Sequence, residues 1–115
     1  NTPLQAFVLL HDPQFVEAAR HLASRMLESA DDDRQRLHAG FQRCHTRPPT
    51  MQETRVLLRE LTSRRKQYTS DPESARQLIA VGESAVDSTI PDHELAAWTS
   101  VARVMMNLSE FVTKP

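Results

Sequence analysis

Cys44 and His45 are the adjacent pair in this chain whose residue types most readily suggest chemistry. Covalent haem attachment requires a Cys-x-x-Cys-His motif, and Phe41 occupies the position of the first cysteine, so the second thioether bond cannot form. His38 lies seven residues before His45, on the same face of a helix, but structural zinc normally takes four protein ligands. We therefore interpret Cys44 as a half-buried thiol beside a surface histidine and expect no metal and no cofactor.

The other histidines lack the neighbours that catalysis requires. His21 follows Glu17 by four residues, a spacing typical of an ordinary pair on a helix surface. His11 precedes Asp12 at a junction between two predicted helices, and His93 lies in the first turn of the last predicted helix. None is part of a serine or cysteine nucleophile motif. We expect no catalytic residue, and enzyme activity is the less favoured hypothesis for this chain alone.

Two runs of like charge have both a functional and a structural interpretation. Asp31–Asp33 lacks the alternating carboxylates and the glycine of a calcium loop, so helix capping is favoured. Arg64–Lys66 could bind phosphate, but basic groups near the C-terminal end of a helix also complement its dipole. We favour a solvated helix face for this basic cluster, and salt-sensitive binding to duplex DNA is not expected.

Charge is distributed unevenly although the net charge is only −1. Residues 31–70 carry nine basic and five acidic groups, whereas residues 71–115 carry three basic and seven acidic groups. This pattern predicts that the basic middle of the chain faces its acidic end, within one molecule or between two copies. The middle is too mildly basic to indicate a nucleic-acid partner, and no apolar run approaches the eighteen or so residues that cross a bilayer.

The elements that must position these residues are helices. The chain has 115 residues and only two glycines, Gly40 and Gly82, which argues against hairpins and against a glycine-rich phosphate loop. Helix start signals are Asp12-Pro13, the Asp31–Asp33 run, Thr50 with Glu53 in a capping-box spacing, Asp71-Pro72 and Asp92. Together with a short helix around Leu4–His11, these signals predict an all-α, single-domain bundle of about six helices over residues 1–115.

Apolar side chains follow a helical repeat within each predicted element. In chain order the predicted buried positions are Phe15, Val16, Ala19, Leu22, Ala23, Met26 and Leu27, then Leu37, Phe41 and Cys44, then Leu57, Leu58, Leu61 and Tyr68, then Leu78, Ile79 and Val81. The short helix that carries Leu78 is expected to end at Gly82, and residues 83–91 are expected to form a loop. The last helix is apolar on most sides between residues 101 and 112, which is typical of a central helix.

Trp98 and Met106 in the last helix are the candidate contact residues. Trp98 has two interpretations, a core anchor or part of a docking surface, and the core is favoured. Met105 and Met106 point about 100° apart on a helix, so both cannot face one neighbour. One of them therefore meets a second partner, either another helix or another chain.

Several stretches, in this order along the chain, resemble one known family: residues 1–20, Arg47–Thr50, Val81–Ser84, and Leu95–Thr99 through Asn107–Phe111. They are similar to the C-terminal part of a planctomycete-specific domain of unknown function. In that family the domain lies at the C-terminal end of large bacterial proteins, which often carry a cytochrome-c-like module nearer the N-terminus. The chain departs from the family at His11, where asparagine is more frequent.

The resemblance implies a fragment of a longer, exported polypeptide, located in the periplasm or at the cell surface, and it implies no catalytic residue. Our leading hypothesis is a non-catalytic interaction module that packs against upstream domains of its own polypeptide or against a second copy. Leu4, Phe7, Trp98 and Met106 are the candidate interface residues, although the core is the favoured location of Trp98. The alternative is an accessory part of a catalytic or cytochrome-linked electron-transfer unit, which would give Soret absorption dependent on residues 1–115.

Overall fold

The computed structural model describes residues 12–82, 85–86 and 89–112, and for residues 109–112 the backbone only. Over this part of the chain it contains five helices and no strand, which confirms the all-α class. They are α1 (Pro13–Ser29), α2 (Asp33–His45), α3 (Met51–Ser70), α4 (Pro72–Ile79) and α5 (Asp92–Val112). The helix predicted around Leu4–His11 lies outside the described residues, so the described count is five rather than six.

Side-chain caps begin the first four helices at the predicted places. The carboxylate of Asp12 accepts hydrogen bonds from the backbone N–H groups of Gln14 and Phe15, and that of Asp32 accepts one from Gln35. Asp71 ends α3 and also caps α4 by accepting from the Ser74 N–H. Each cap satisfies N–H groups that have no partner within the helix, which fixes where the helix starts.

The start of α3 is a complete capping box. The Thr50 hydroxyl accepts from the Glu53 N–H at 3.1 Å, and the Glu53 carboxylate accepts from the Thr50 N–H at 2.8 Å. Arg47 adds two hydrogen bonds to the same carboxylate, at 2.9 and 3.0 Å. These contacts hold the pKa of Glu53 at about 2, with the Arg47 hydrogen bonds as the largest cause and burial acting in the opposite direction.

The end of α4 differs from the prediction by a few residues. The helix stops at Ile79, so Val81 and Gly82 lie beyond it. Gly82 does have the positive φ, +95°, that favours glycine. Where residues 83–91 are described they are irregular, as predicted.

Helix α5 forms the centre of the molecule and packs against all four other helices, most extensively against α1 and α3. No side chain from Glu94 to Leu108 is exposed. The core that surrounds α5 draws on every helix, with Ala19 and Met26 from α1, Leu37 and Phe41 from α2, Leu57, Leu61 and Tyr68 from α3, Ala75 and Ile79 from α4, and Trp98, Val101 and Met105 from α5. The central-helix prediction is confirmed.

Candidate interaction surfaces

Cys44 and His45 lie at the C-terminal end of α2, and both are half-buried. The His45 ring stacks on Phe41 with ring centroids 4.0 Å apart, and its Nε2 lies 3.3 Å from the Met105 carbonyl oxygen. His38 is exposed. Over the described ranges, no group of three or more His, Cys, Asp or Glu side chains is arranged to hold a metal ion.

Burial raises the pKa of the Cys44 thiol. The thiolate is the nucleophilic form of cysteine, so a raised pKa leaves less of it at neutral pH. The half-buried position agrees with the interpretation of Cys44 as a packing residue of α2.

Arg65 connects the starts of two helices from its place on a third. Its guanidinium donates to Asp33 at 2.7 and 3.1 Å and to Glu94 at two distances of 2.8 Å. The Arg65 hydrogen bonds are the largest cause of a lowered pKa at Asp33, which Arg36 also contacts. Arg65 belongs to the basic middle of the chain and Glu94 to its acidic end. The Arg65–Glu94 ion pair thus joins these two parts of the chain within one molecule.

The two neighbours of Arg65 in the basic run differ in their surroundings. Arg64 donates to Glu60 at 2.8 Å and to Gln67 at 2.6 Å, and Lys66 is exposed. Of this run, Lys66 alone is exposed, whereas Arg64 and Arg65 are half-buried and bind different carboxylates.

Trp98 lies beneath the Arg65 network with no exposed surface. The guanidinium carbons of Arg36 and Arg65 lie 5.9 and 6.0 Å from its ring centroid, a distance at which cations are attracted to an aromatic face. Of the two interpretations of Trp98, the structure supports the core anchor, and its side chain offers no surface for docking.

Met106 is half-buried and contributes to a shallow groove of about 420 Å³ between α1, α2 and α5. Leu22, Cys44 and Met106 form its apolar floor, and Arg25 and Arg43 are exposed on its rim. Neither arginine forms an ion pair with the described residues. The buried Met105 and the groove-lining Met106 thus have different neighbours, as their 100° separation predicted. Leu4 and Phe7 lie outside the described residues.

Arg20 is a structural residue that sequence reasoning missed. Its side chain is buried in α1 and donates to the carbonyl oxygen of Ile79, the last residue of α4. Arg20 lies four residues after Val16 and three before Ala23, both buried. Its position within this apolar repeat was the available signal that its side chain points inward.

The described residues thus define an all-α domain with charged bridges between helices and an arginine-rimmed groove. The family model for PSD1, described as a protein of unknown function (DUF1553), matches residues 1–61, slightly more than half of the 115 residues. The chain belongs to this family. The matched residues include two of the stretches that carry the resemblance, residues 1–20 and Arg47–Thr50. No curated protein and no solved structure matches the chain.

Among the described residues, no helix is long and apolar enough to cross a membrane.

Proposed function

We propose that this chain is a non-catalytic helical interaction module, the C-terminal part of a larger exported bacterial polypeptide, and that its Met106 groove contacts other domains of that polypeptide. The observation that carries the proposal is the groove itself. Three helices contribute to it, and its floor is apolar. The two arginines of its rim lack ion-pair partners among the described residues. Methionine and arginine are both enriched at protein interfaces.

The use of the charged residues also supports a structural role. Asp12, Asp32 and Asp71 cap helices, and Arg65 joins Asp33 to Glu94. The cap carboxylates bind N–H groups of their own helices, and Arg65 joins three helices. In a catalytic site such groups would converge on a bound substrate, whereas here their contacts stabilise helices.

The proposed position in a larger protein rests on the family and on the resemblance. The family model supports membership over residues 1–61. The resemblance extends to residues 95–111 and supports a planctomycete origin, a C-terminal location and export to the periplasm or cell surface. Upstream domains of the same polypeptide are accordingly the proposed partner.

Hydrogen–deuterium exchange tests this proposal by comparing the full-length polypeptide with the chain of residues 1–115. We expect slower exchange around residues 18–25 and 43–45 in the full-length polypeptide. In that polypeptide the R25E/R43E variant should lose the added protection, whereas R55E/R59E, on a different surface, should keep it. Equal exchange in both proteins, or Soret absorption that depends on residues 1–115, would contradict the proposal.

A further inference from the structure

The outward face of α3 carries positive charge that its own helix does not neutralise. Arg55 and Arg59 are exposed on this face, and Lys66 is exposed further along the helix. The two acidic residues of α3, Glu53 and Glu60, are half-buried rather than exposed. Glu53 is paired with Arg47, and Glu60 is paired with Arg64. No acidic side chain between residues 51 and 70 is exposed, so the exposed charges of α3 are all basic.

Two adjacent hollows flank Arg55. One, of about 430 Å³, is lined by Arg34 of α2 together with Pro49, Met51, Thr54 and Arg55. The other, of about 400 Å³, is lined by Gln52, Arg55, Val56 and Arg59. Arg34, Arg55 and Arg59 form no ion pair with any residue that the structure describes. Three arginines are therefore available to one ligand.

Apolar side chains are exposed at the same place. Met51 is 79% exposed and Val56 is 42% exposed, so two of the three large hydrophobic side chains exposed in the described chain border these hollows. Methionine adapts its shape to a partner, and arginine and methionine are both enriched at protein interfaces. The ligand therefore needs apolar groups as well as negative charge.

We infer that this α3 face, defined by Arg34, Met51, Arg55, Val56 and Arg59, docks an acidic amphipathic helix of another protein. Arg55 and Arg59 are one turn apart, about 6 Å along the helix axis, which matches carboxylates four residues apart on a partner helix. Leucine-like side chains next to those carboxylates would cover Met51 and Val56. A nucleic acid fits less well, because its phosphates would leave both apolar side chains without a partner. The inference concerns a different surface from the Met106 groove and does not depend on it.

Fluorescence anisotropy with the 115-residue chain tests the inference. The probe is a fluorescein-labelled 18-residue helical peptide with glutamates four residues apart beside a leucine stripe, and its comparison is the same peptide with lysine in place of glutamate. We expect the glutamate peptide to bind and the lysine peptide not to bind. R55E/R59E should weaken binding at least about tenfold, because two attractive contacts become repulsive, and R25E/R43E should leave it unchanged.

A second variant examines the apolar part of the surface without altering its charge. M51S/V56S changes two exposed side chains, so the fold should persist, with an unchanged circular dichroism spectrum, while peptide binding weakens severalfold. No binding of the glutamate peptide would overturn the inference, as would equal binding by R55E/R59E. Equally tight binding of duplex DNA would show that charge alone is recognised and would also overturn the inference. Sedimentation that reveals a dimer disrupted by R55E/R59E would assign the face to a second copy, which also overturns it.

Discussion

The guanidinium group of Arg65 holds the first turns of α2 and α5 against the C-terminal half of α3. It forms four hydrogen bonds to two carboxylates and lies near the ring of the buried Trp98. Its side chain is 31% exposed, so water screens the charges only in part. A residue that looks like one member of a basic run therefore acts as a bridge between three helices.

Replacing Arg65 by methionine should lower the free energy of unfolding by about 1–2 kcal/mol, because Asp33 and Glu94 lose their shared charged partner at a partly exposed site. Urea denaturation measures this change. Arg64→Met is the matched control, since Arg64 forms an i,i+4 pair with Glu60 on the surface, and its loss should cost about 0.5 kcal/mol or less. Equal effects of the two substitutions would contradict the bridging role.

Gly40 permits a close approach of three helices. A Cβ atom at this position would lie 2.1 Å from the sulfur of Met26 in α1 and 3.3 Å from that of Met105 in α5. Met26 is itself 1% exposed, so it has little room to move.

Gly40→Ala should therefore destabilise the protein although alanine is the better helix former. Overpacking destabilises a core by about 1–3 kcal/mol, and the higher helix propensity of alanine offsets about 1 kcal/mol of this. We therefore expect a net decrease in the free energy of unfolding. The midpoint of thermal or urea unfolding reports it. His38→Ala, at an exposed position on the same helix, should be close to neutral, and a gain in stability for Gly40→Ala would show that Met26 repacks freely.

At the scale of the element, local sequence determines where helices start. The cap residues of α1 to α4 each bond to N–H groups two or three positions later, so the information lies within a few residues. For this reason the amino-acid sequence alone predicted where these four helices begin. The sequence predicted the end of α4 less accurately. Arg20 of α1 donates to the carbonyl oxygen of Ile79, and no residue near Ile79 in the sequence indicates that contact.

Thr50→Ala should cost about 1 kcal/mol of stability, because it removes the side-chain half of the capping box at the start of α3. Chemical denaturation of the purified chain gives the value. Thr62→Ala removes the same atoms from an exposed site within α3, where the hydroxyl bonds only to the Leu58 carbonyl oxygen, and should have almost no effect. A cost at Thr62 as large as that at Thr50 would count against the capping explanation.

At the scale of the whole molecule, α5 is the element on which the others depend. No side chain from Glu94 to Leu108 is exposed, and each of the other four helices packs against α5. The radius of gyration, 13.4 Å, is that of a compact chain of this length. Charged contacts such as Arg65–Glu94 and Arg47–Glu53 lie around this core.

Stability should fall as the solution is acidified from about pH 6 to pH 2. The pKa values of Glu53 and Asp33 are lowered in the folded chain, that of Glu53 from 4.5 to about 2. The unfolded state therefore binds protons first, and the stability these carboxylates provide above their unfolded pKa is lost as pH decreases towards the folded value. Unfolding free energies at a series of pH values measure the slope, which Glu53→Gln should flatten; an unchanged slope in that variant would contradict the assignment.

The sequence by itself determined the helical class, the helix starts and most of the buried positions, because caps and apolar repeats are local properties of the chain. It also indicated Met106 as a contact residue with a neighbour different from that of Met105. Only the tertiary structure decided that Arg65 bridges Asp33 and Glu94, that Arg20 turns inward, and that the basic charge left over lies on the outward face of α3. Those outcomes depend on which helices meet, and the packing of four helices around α5 brings together side chains that are 29 or more residues apart in the chain.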